Sequence, residues 1–181
     1  MGRYEIRFSG SGGQGLILAG VIFAEAAAIY DKKNAVQSQS YGPEARGGAS
    51  KSEVIISDET INFPKATAID LQLSLTQESC TKYYKDVKGD GTLLVDEDFV
   101  REVPKGTFKV IKLPIIRTAA EQIGKAFVAN IVAIGAIAAI TGQVSYESVE
   151  KAVLSRVPKG TEDLNKKALM AGYELAKSKM N

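Results

Sequence analysis

The chain has 181 residues, 45% hydrophobic and 24% charged, with 23 Lys and Arg against 21 Asp and Glu for a formal net charge of +2. That balance, with the lysines scattered along the chain, gives no electrostatic case for nucleic acid or an anionic membrane as partner. There is no histidine and a single cysteine, Cys80: the commonest general base and metal ligand are missing, and one thiol makes neither an internal disulfide nor, by itself, an iron–sulfur cluster.

A chain of this length is most simply one domain, residues 1–181, with a core of its own. Arg3, Glu5 and Arg7 interrupt the N-terminus, so no signal peptide is expected. The longest apolar run, residues 126–140, carries Asn130 and is shorter than the ~20 residues a membrane span needs. A soluble, cytoplasmic protein is the expectation.

Residues 4–8 alternate Tyr4, Ile6 and Phe8 with Glu5 and Arg7, the pattern of a half-buried strand. Residues 13–30 read as a helix with a wide apolar stripe that includes Leu16, Ala19, Phe23 and Ala27. A turn at residues 31–34 leads to a second strand, 35–40. The stretch 41–48 holds three glycines and a proline and reads as a loop. Further strands are predicted over 52–57, 69–74, 92–95 and 108–113, with a helix over 77–85 that carries Cys80 as a buried structural thiol.

The remainder is helical. Thr118 with Glu121 forms a capping-box pattern, and Ser145 and Thr161 read as N-caps of two later helices. Residues 127–140 are nearly apolar all round and predict a helix buried on several sides, with Asn130 tying a loop to it and Gly135 allowing close packing. The fold class is α/β: three layers, a mostly parallel or mixed sheet flanked by helices, a Rossmann-like N-terminal half and a helical C-terminal appendix.

Chemistry points to residues 10–15, where Gly10, Ser11, Gly12, Gly13, Gln14 and Gly15 follow a strand and open a helix. Gly10, Gly12 and Gly15 match the G-x-G-x-x-G pattern of a phosphate-receiving loop, and the helix start offers unpaired N–H groups to an anion. Three readings stay open. A nicotinamide or flavin dinucleotide site expects an acidic residue about 20 positions on, at the end of the second strand; Val36, Gln37, Ser38, Gln39 and Ser40 stand there instead. Another phosphate, such as the diphosphate of coenzyme A, needs only amides and glycines. A structural turn needs no ligand. Gln14 is expected either to donate an amide hydrogen bond into the crevice or to face solvent.

The loop after the second strand adds a second set of candidates: Ser40, Tyr41 and Arg46, with Ser38 weaker. Arg46 is suited to a phosphate, a carboxylate or an acid on a partner, or to an intrachain pair with Glu44. Loops at the carboxyl ends of neighbouring strands share one crevice in a doubly wound sheet, so the two loops are expected to face one site.

Gly10–Gly15 (G-S-G-G-Q-G) together with Ser40–Gly48 (S-Y-G-P-E-A-R-G-G), and the apolar stretch from Asn130 to Ala136, resemble the gamma subunit of 2-oxoacid:ferredoxin (acceptor) oxidoreductases over essentially the whole chain. The resemblance implies the gamma-domain fold of the pyruvate enzymes and an accessory role without catalytic residues of its own. It implies thiamine diphosphate, magnesium and iron–sulfur clusters held by alpha and beta partners, with a delta subunit where one exists. It implies further that coenzyme A is contacted here and that ferredoxin is reached only indirectly. Residues 89–91 lack the continuation of a thiamine diphosphate motif and read as a turn. The resemblance leans toward the 2-oxoglutarate or branched-chain types. A free-standing dinucleotide-binding oxidoreductase and a ligand-free scaffold are the alternatives.

Overall fold

A computed structural model describes residues 2–40 and 48–180. Its centre is a six-stranded sheet of β1 (Tyr4–Ser11), β2 (Asn34–Ser40), β3 (Ala49–Ser57), β4 (Ile69–Ser74), β5 (Val87–Asp96) and β6 (Lys109–Leu113), in the order β2-β3-β1-β4-β5-β6. β1, β4, β5 and β6 are parallel, and β3 runs antiparallel to both β1 and β2. β2 therefore runs in the same direction as β1, but is not its neighbour.

One face of the sheet carries the main core. Ile6, Phe8, Val54, Ile56, Leu71, Leu73, Leu94, Ile111 and Leu113 meet α1 (Leu16–Glu25), α4 (Ala129–Thr141), α5 (Tyr146–Arg156) and α6 (Glu162–Met180). The opposite face is covered in part by α2 (Gln77–Tyr83), whose Cys80 packs with Leu93, Val95 and Val100. Burial holds the Cys80 thiol pKa above its ordinary value, as the structural reading of this residue expects.

The β1 alternation misleads on one point. Arg7 and Glu5 do not face water but are 2% and 3% exposed. Arg7 pairs with Glu53 at 2.7 Å and Asp86 at 2.8 Å, donates to the Tyr83 carbonyl and lies over the Tyr83 ring. Glu5 accepts from the N–H groups of Thr67 and Ala68 and pairs with Arg3. The period of two is intact; over these residues the second face is covered by α2 and residues 61–68, and the buried Arg7, Glu5 and Glu53 are each paired.

The C-terminal helices are less peripheral than an appendix. α4 is buried over ten successive residues, Ala129 to Ala138, because the sheet lies on one side and α5 and α6 on others. α4 and α6 touch backbone to backbone: a Cβ at Gly135 would strike the Leu169 carbonyl, and one at Gly172 would strike the Val132 carbonyl.

Two helix starts differ from the sequence reading. α1 begins at Leu16, since Gly13 (φ 86°) and Gly15 (φ 71°) lie in the left-handed region, and it ends at Glu25 in a π turn, Ala26–Tyr30. Thr118 is not an N-cap. Its N–H already donates to the Pro114 carbonyl, and the short α3 (Ile115–Arg117) runs through it into a π turn, Thr118–Gln122. The cap comes instead from across the sheet: the Asp96 carboxylate, at the end of β5, accepts from the Ile116 N–H at 2.8 Å. Ser145 caps α5 through its hydroxyl, and Thr161 directly precedes α6.

Candidate functional site

The glycine loop sits at the carboxyl end of β1. Gly10 and Ser11 are still strand, residues 12–14 form the turn, and Gly15 is the residue from which α1 starts. The first α1 hydrogen bond runs from the Ala19 N–H to the Gly15 carbonyl, and no side chain caps the start. The first-turn N–H groups are thus left to whatever occupies the loop. Gly12 and Gly13 border open space: a Cβ on either would meet nothing within 4 Å.

Gln14 has a role beside the two expected of it. Its side-chain oxygen accepts the Ser11 N–H at 2.8 Å and lies against Gly10, so the residue braces the loop from within. Asn130 meets its expectation. From the first turn of α4 its Nδ2 donates to the Gly15 carbonyl at 3.2 Å, and its Oδ1 accepts from the Ile131 N–H. One buried amide joins the starts of two helices.

A cleft of about 240 Å³ opens between this loop and the neighbouring strand end, lined by Gly13, Gln14, Leu75, Ile116, Ala126, Phe127 and Ala129. Leu75 directly follows β4, so the cleft lies where chain order reverses, with β1 leading to one side of the sheet and β4 beginning the other. That is the place at which open α/β sheets bind ligands. Phe127 is 71% exposed on a 3-10 turn, Ala126–Val128, ahead of α4. The sequence reading put it inside the apolar helix. Gly124, at φ 81°, breaks the chain just before it, and that glycine is the signal that separates Phe127 from the helix.

Beside the cleft, burial raises the Asp96 pKa above its ordinary value, against the hydrogen bonds it accepts from Ile116, Asp98 and Phe99. Those bonds fix the α3 start, and hence Ile116, relative to β5.

Ser11 and Ser40 both lie at the carboxyl end of strands that run the same way, in register with Ala49 and Lys51 of β3. The expectation that β1 and β2 are neighbours is corrected: β3 stands between them, and two strand spacings put their ends about 10 Å apart. Ser38 lies within the same edge strand as Ser40. Tyr41 and Arg46 fall outside the described residues. Among the described residues no group of three or more acids and thiols is placed to hold a metal ion, and Cys80 is a buried free thiol.

The chain belongs to the pyruvate ferredoxin/flavodoxin oxidoreductase family, whose model matches residues 5–175. Within that class it is similar to the gamma-type subunits. It is 56% identical to the 2-oxoglutarate synthase subunit KorC of Methanocaldococcus jannaschii, over 97% of this chain and 95% of that one. Against the pyruvate synthase subunit PorC of the same organism the identity is 30%, over 93% and 94%. The crystal structure of the keto/oxoacid ferredoxin oxidoreductase gamma subunit from Geobacter sulfurreducens matches with a TM-score of 0.92 and 60% identity, covering 98% of both chains. The same fold, at 21% identity and a TM-score of 0.86, forms 32% of a chain of the 2-oxoglutarate:ferredoxin oxidoreductase from Magnetococcus marinus, a structure with 2-oxoglutarate, coenzyme A and succinyl-CoA bound; that match covers 98% of the present chain. The described residues contain no helix long and apolar enough to cross a membrane.

Proposed function

We propose that this chain is the gamma subunit of a 2-oxoglutarate:ferredoxin oxidoreductase and that its glycine loop contacts coenzyme A. The assembled enzyme cleaves the 2-oxoacid to carbon dioxide, transfers the acyl group to the thiol of coenzyme A and passes the electron pair to ferredoxin. Thiamine diphosphate, magnesium and clusters belong to alpha and beta partners, with delta where one exists. The residues of this chain bind and position rather than react. The greater identity to the 2-oxoglutarate subunit than to the pyruvate subunit of one organism favours 2-oxoglutarate as the acid.

The observation that carries the coenzyme A role is the bare backbone at Gly12 and Gly13, facing open space beside the uncapped α1 start. Backbone N–H groups and the positive end of a helix suit a diphosphate. Ser11, Ser40, Tyr41 and Arg46 are assigned to the same ligand or to the entrance through which it passes, and the missing ribose acid leaves the nicotinamide reading unsupported.

The test uses the assembled complex with Gly12→Val and Arg46→Ala. Both are expected to raise the apparent KM for coenzyme A. Normal values in both would defeat the ligand role. The chain purified alone is expected to show no 2-oxoacid-dependent dye reduction; robust activity without partners would defeat the accessory role.

A further inference from the structure

The two edges of the sheet are guarded differently. β6 carries the exposed Lys109 and Lys112, the usual protection of an edge strand against pairing with another chain. β2, at the other edge, has no such guard. Its seven residues, Asn34 to Ser40, include no charge and no proline, and all are exposed or half-buried. Its register with β3 runs unbroken from Asn34 opposite Ser57 to Ser40 opposite Lys51, without a bulge to twist the edge away. Among the described residues no strand pairs with its outer side.

The helix beside β2 is uncharged toward the same edge. A Cβ on Gly20 would strike Ser52 Oγ of β3 and lie 3.6 Å from Gln37 Cγ, so this side of α1 faces β3 and β2. Ile17, Val21 and Ala24, spaced to share that side, are only half-buried.

We propose that β2 is a dimer edge: a second copy of this chain adds its own β2 antiparallel, about a twofold axis at Gln37, and joins two six-stranded sheets into one. The strand is complementary to itself in that arrangement. Full overlap sets Asn34 against Ser40, Ala35 against Gln39, Val36 against Ser38, and Gln37 against its own copy. These are one hydrogen-bonding pair, two pairings of a small residue with a larger one, and an amide pair on the axis; no like charges meet. Lys32 and Lys33, just before the strand, fall at opposite ends of the pair, roughly 25 Å apart. A strand from a different protein would be selected by opposite charge, and β2 offers none. A twofold contact uses the same edge of both copies, so it closes without leaving an edge for a third. Because β1 and β2 run the same way, the two glycine loops point to opposite ends of the joined sheet, outside the contact. The paired edge is about 23 Å long. That puts the contact at the small end of specific interfaces, near or below about 1,200 Å² in total, the range of associations that come apart on dilution.

Cross-linking and sedimentation test the proposal on the full chain and on the assembled complex. Cys80 is buried and is the one native thiol, so an introduced cysteine at the edge is the one that reacts. Gln37→Cys places two thiols on the axis, with Cβ atoms about 5 Å apart, and should link two copies through a short bismaleimide. Asn34→Cys places them roughly 20 Å apart and should not. Sedimentation of the unmodified chain should show the mass rising from one chain to two with concentration. Val36→Lys brings two like charges near the axis and should weaken that association by about tenfold. Adding Ser38→Glu should restore it, since each new lysine then faces the new glutamate of the other copy; a merely destabilised fold would not recover this way. A single-chain mass at every concentration, with no Gln37→Cys link, overturns the proposal. So does Asn34→Cys linking as readily as Gln37→Cys, which marks random collision. A link from Gln37→Cys to a catalytic subunit in the assembled complex also overturns it, and assigns the edge to that partner.

Discussion

Asn130 and Gly15, 115 positions apart in the chain, share a 3.2 Å hydrogen bond that fixes the start of α4 to the start of α1. Gly15 is suited to the role in two ways. Its φ of 71° is left-handed, and a Cβ there would sit 2.5 Å from the Asn130 amide nitrogen. The glycine loop is thus set by a helix that enters the sequence much later.

Asn130→Ala is expected to cost about 1–3 kcal/mol, the range for a buried hydrogen bond whose partner is left unsatisfied. In a chain of this size each kcal/mol shifts the melting temperature by roughly 2–4 °C, which calorimetry of the isolated subunit reads directly. Asn130→Asp keeps the Oδ1 acceptor for the Ile131 N–H and loses the donor to Gly15, so it should fall no closer to wild type than the alanine variant.

Arg7→Ala should be among the most damaging surface-distant substitutions. It leaves Glu53 buried without its closest partner and with Lys51, at 2.9 Å, as its remaining counter-charge, so the loss should lie toward the lower end of the about 3–5 kcal/mol of a broken buried pair. Replacing both Arg7 and Glu53 by apolar residues of similar volume should cost less than Arg7→Ala alone. Urea titrations of the two variants check the order of the midpoints.

Asp31 makes part of the stability pH-dependent. Burial alone would raise its pKa, but hydrogen bonds from Ser148 and from the Ser145 N–H and hydroxyl, with Lys33 nearby, outweigh that and hold it below the ordinary 3.8. The folded carboxyl therefore releases its proton more readily than the unfolded one. Its contribution is full above the unfolded value of 3.8 and is lost as pH falls through the lower folded value. Melting curves from about pH 6 to about pH 3 should show a smaller acid loss for Asp31→Asn than for wild type. Equal slopes would remove Asp31 as the source.

Gly135→Val and Gly172→Val should each prevent close packing of α4 on α6, because the obstacle in both cases is backbone rather than a side chain that can turn away. Overpacking of this kind costs about 1–3 kcal/mol or more. The expected readout is loss of soluble protein, with Gly142→Ala as a comparison: its φ, unlike theirs, is positive, but a Cβ there would meet nothing within 4 Å.

Much of this was legible in the residues. The strands announce themselves by β-branched runs and the alternation of Tyr4, Ile6 and Phe8, and α4 by a run too apolar to face water. The glycine loop is visible because its strand, turn and helix are contiguous in sequence. What was not legible depends on elements far apart. Nothing local shows that Arg7 is covered by α2, that Asp96 caps a helix twenty residues on, or that β3 enters between β1 and β2. Thr118 and Glu121 satisfy a capping pattern, yet Pro114 and Asp96 start the helix earlier. Phe127 looked like core by hydropathy alone, and only the backbone turn at Gly124 takes it out of the helix.

The crossing of α4 and α6 also bears on synthesis. α4 is the apolar heart of the molecule, yet the helix that seals its far side ends at Met180. A ribosome adding about 5–20 residues per second leaves the chain with that surface uncovered for a matter of seconds. The native core cannot close from the N-terminus onward; it waits for Leu169 and Gly172 of α6 to reach Gly135 and Val132, and a product truncated before α6 would expose to chaperones and proteases the stretch that the finished protein hides best.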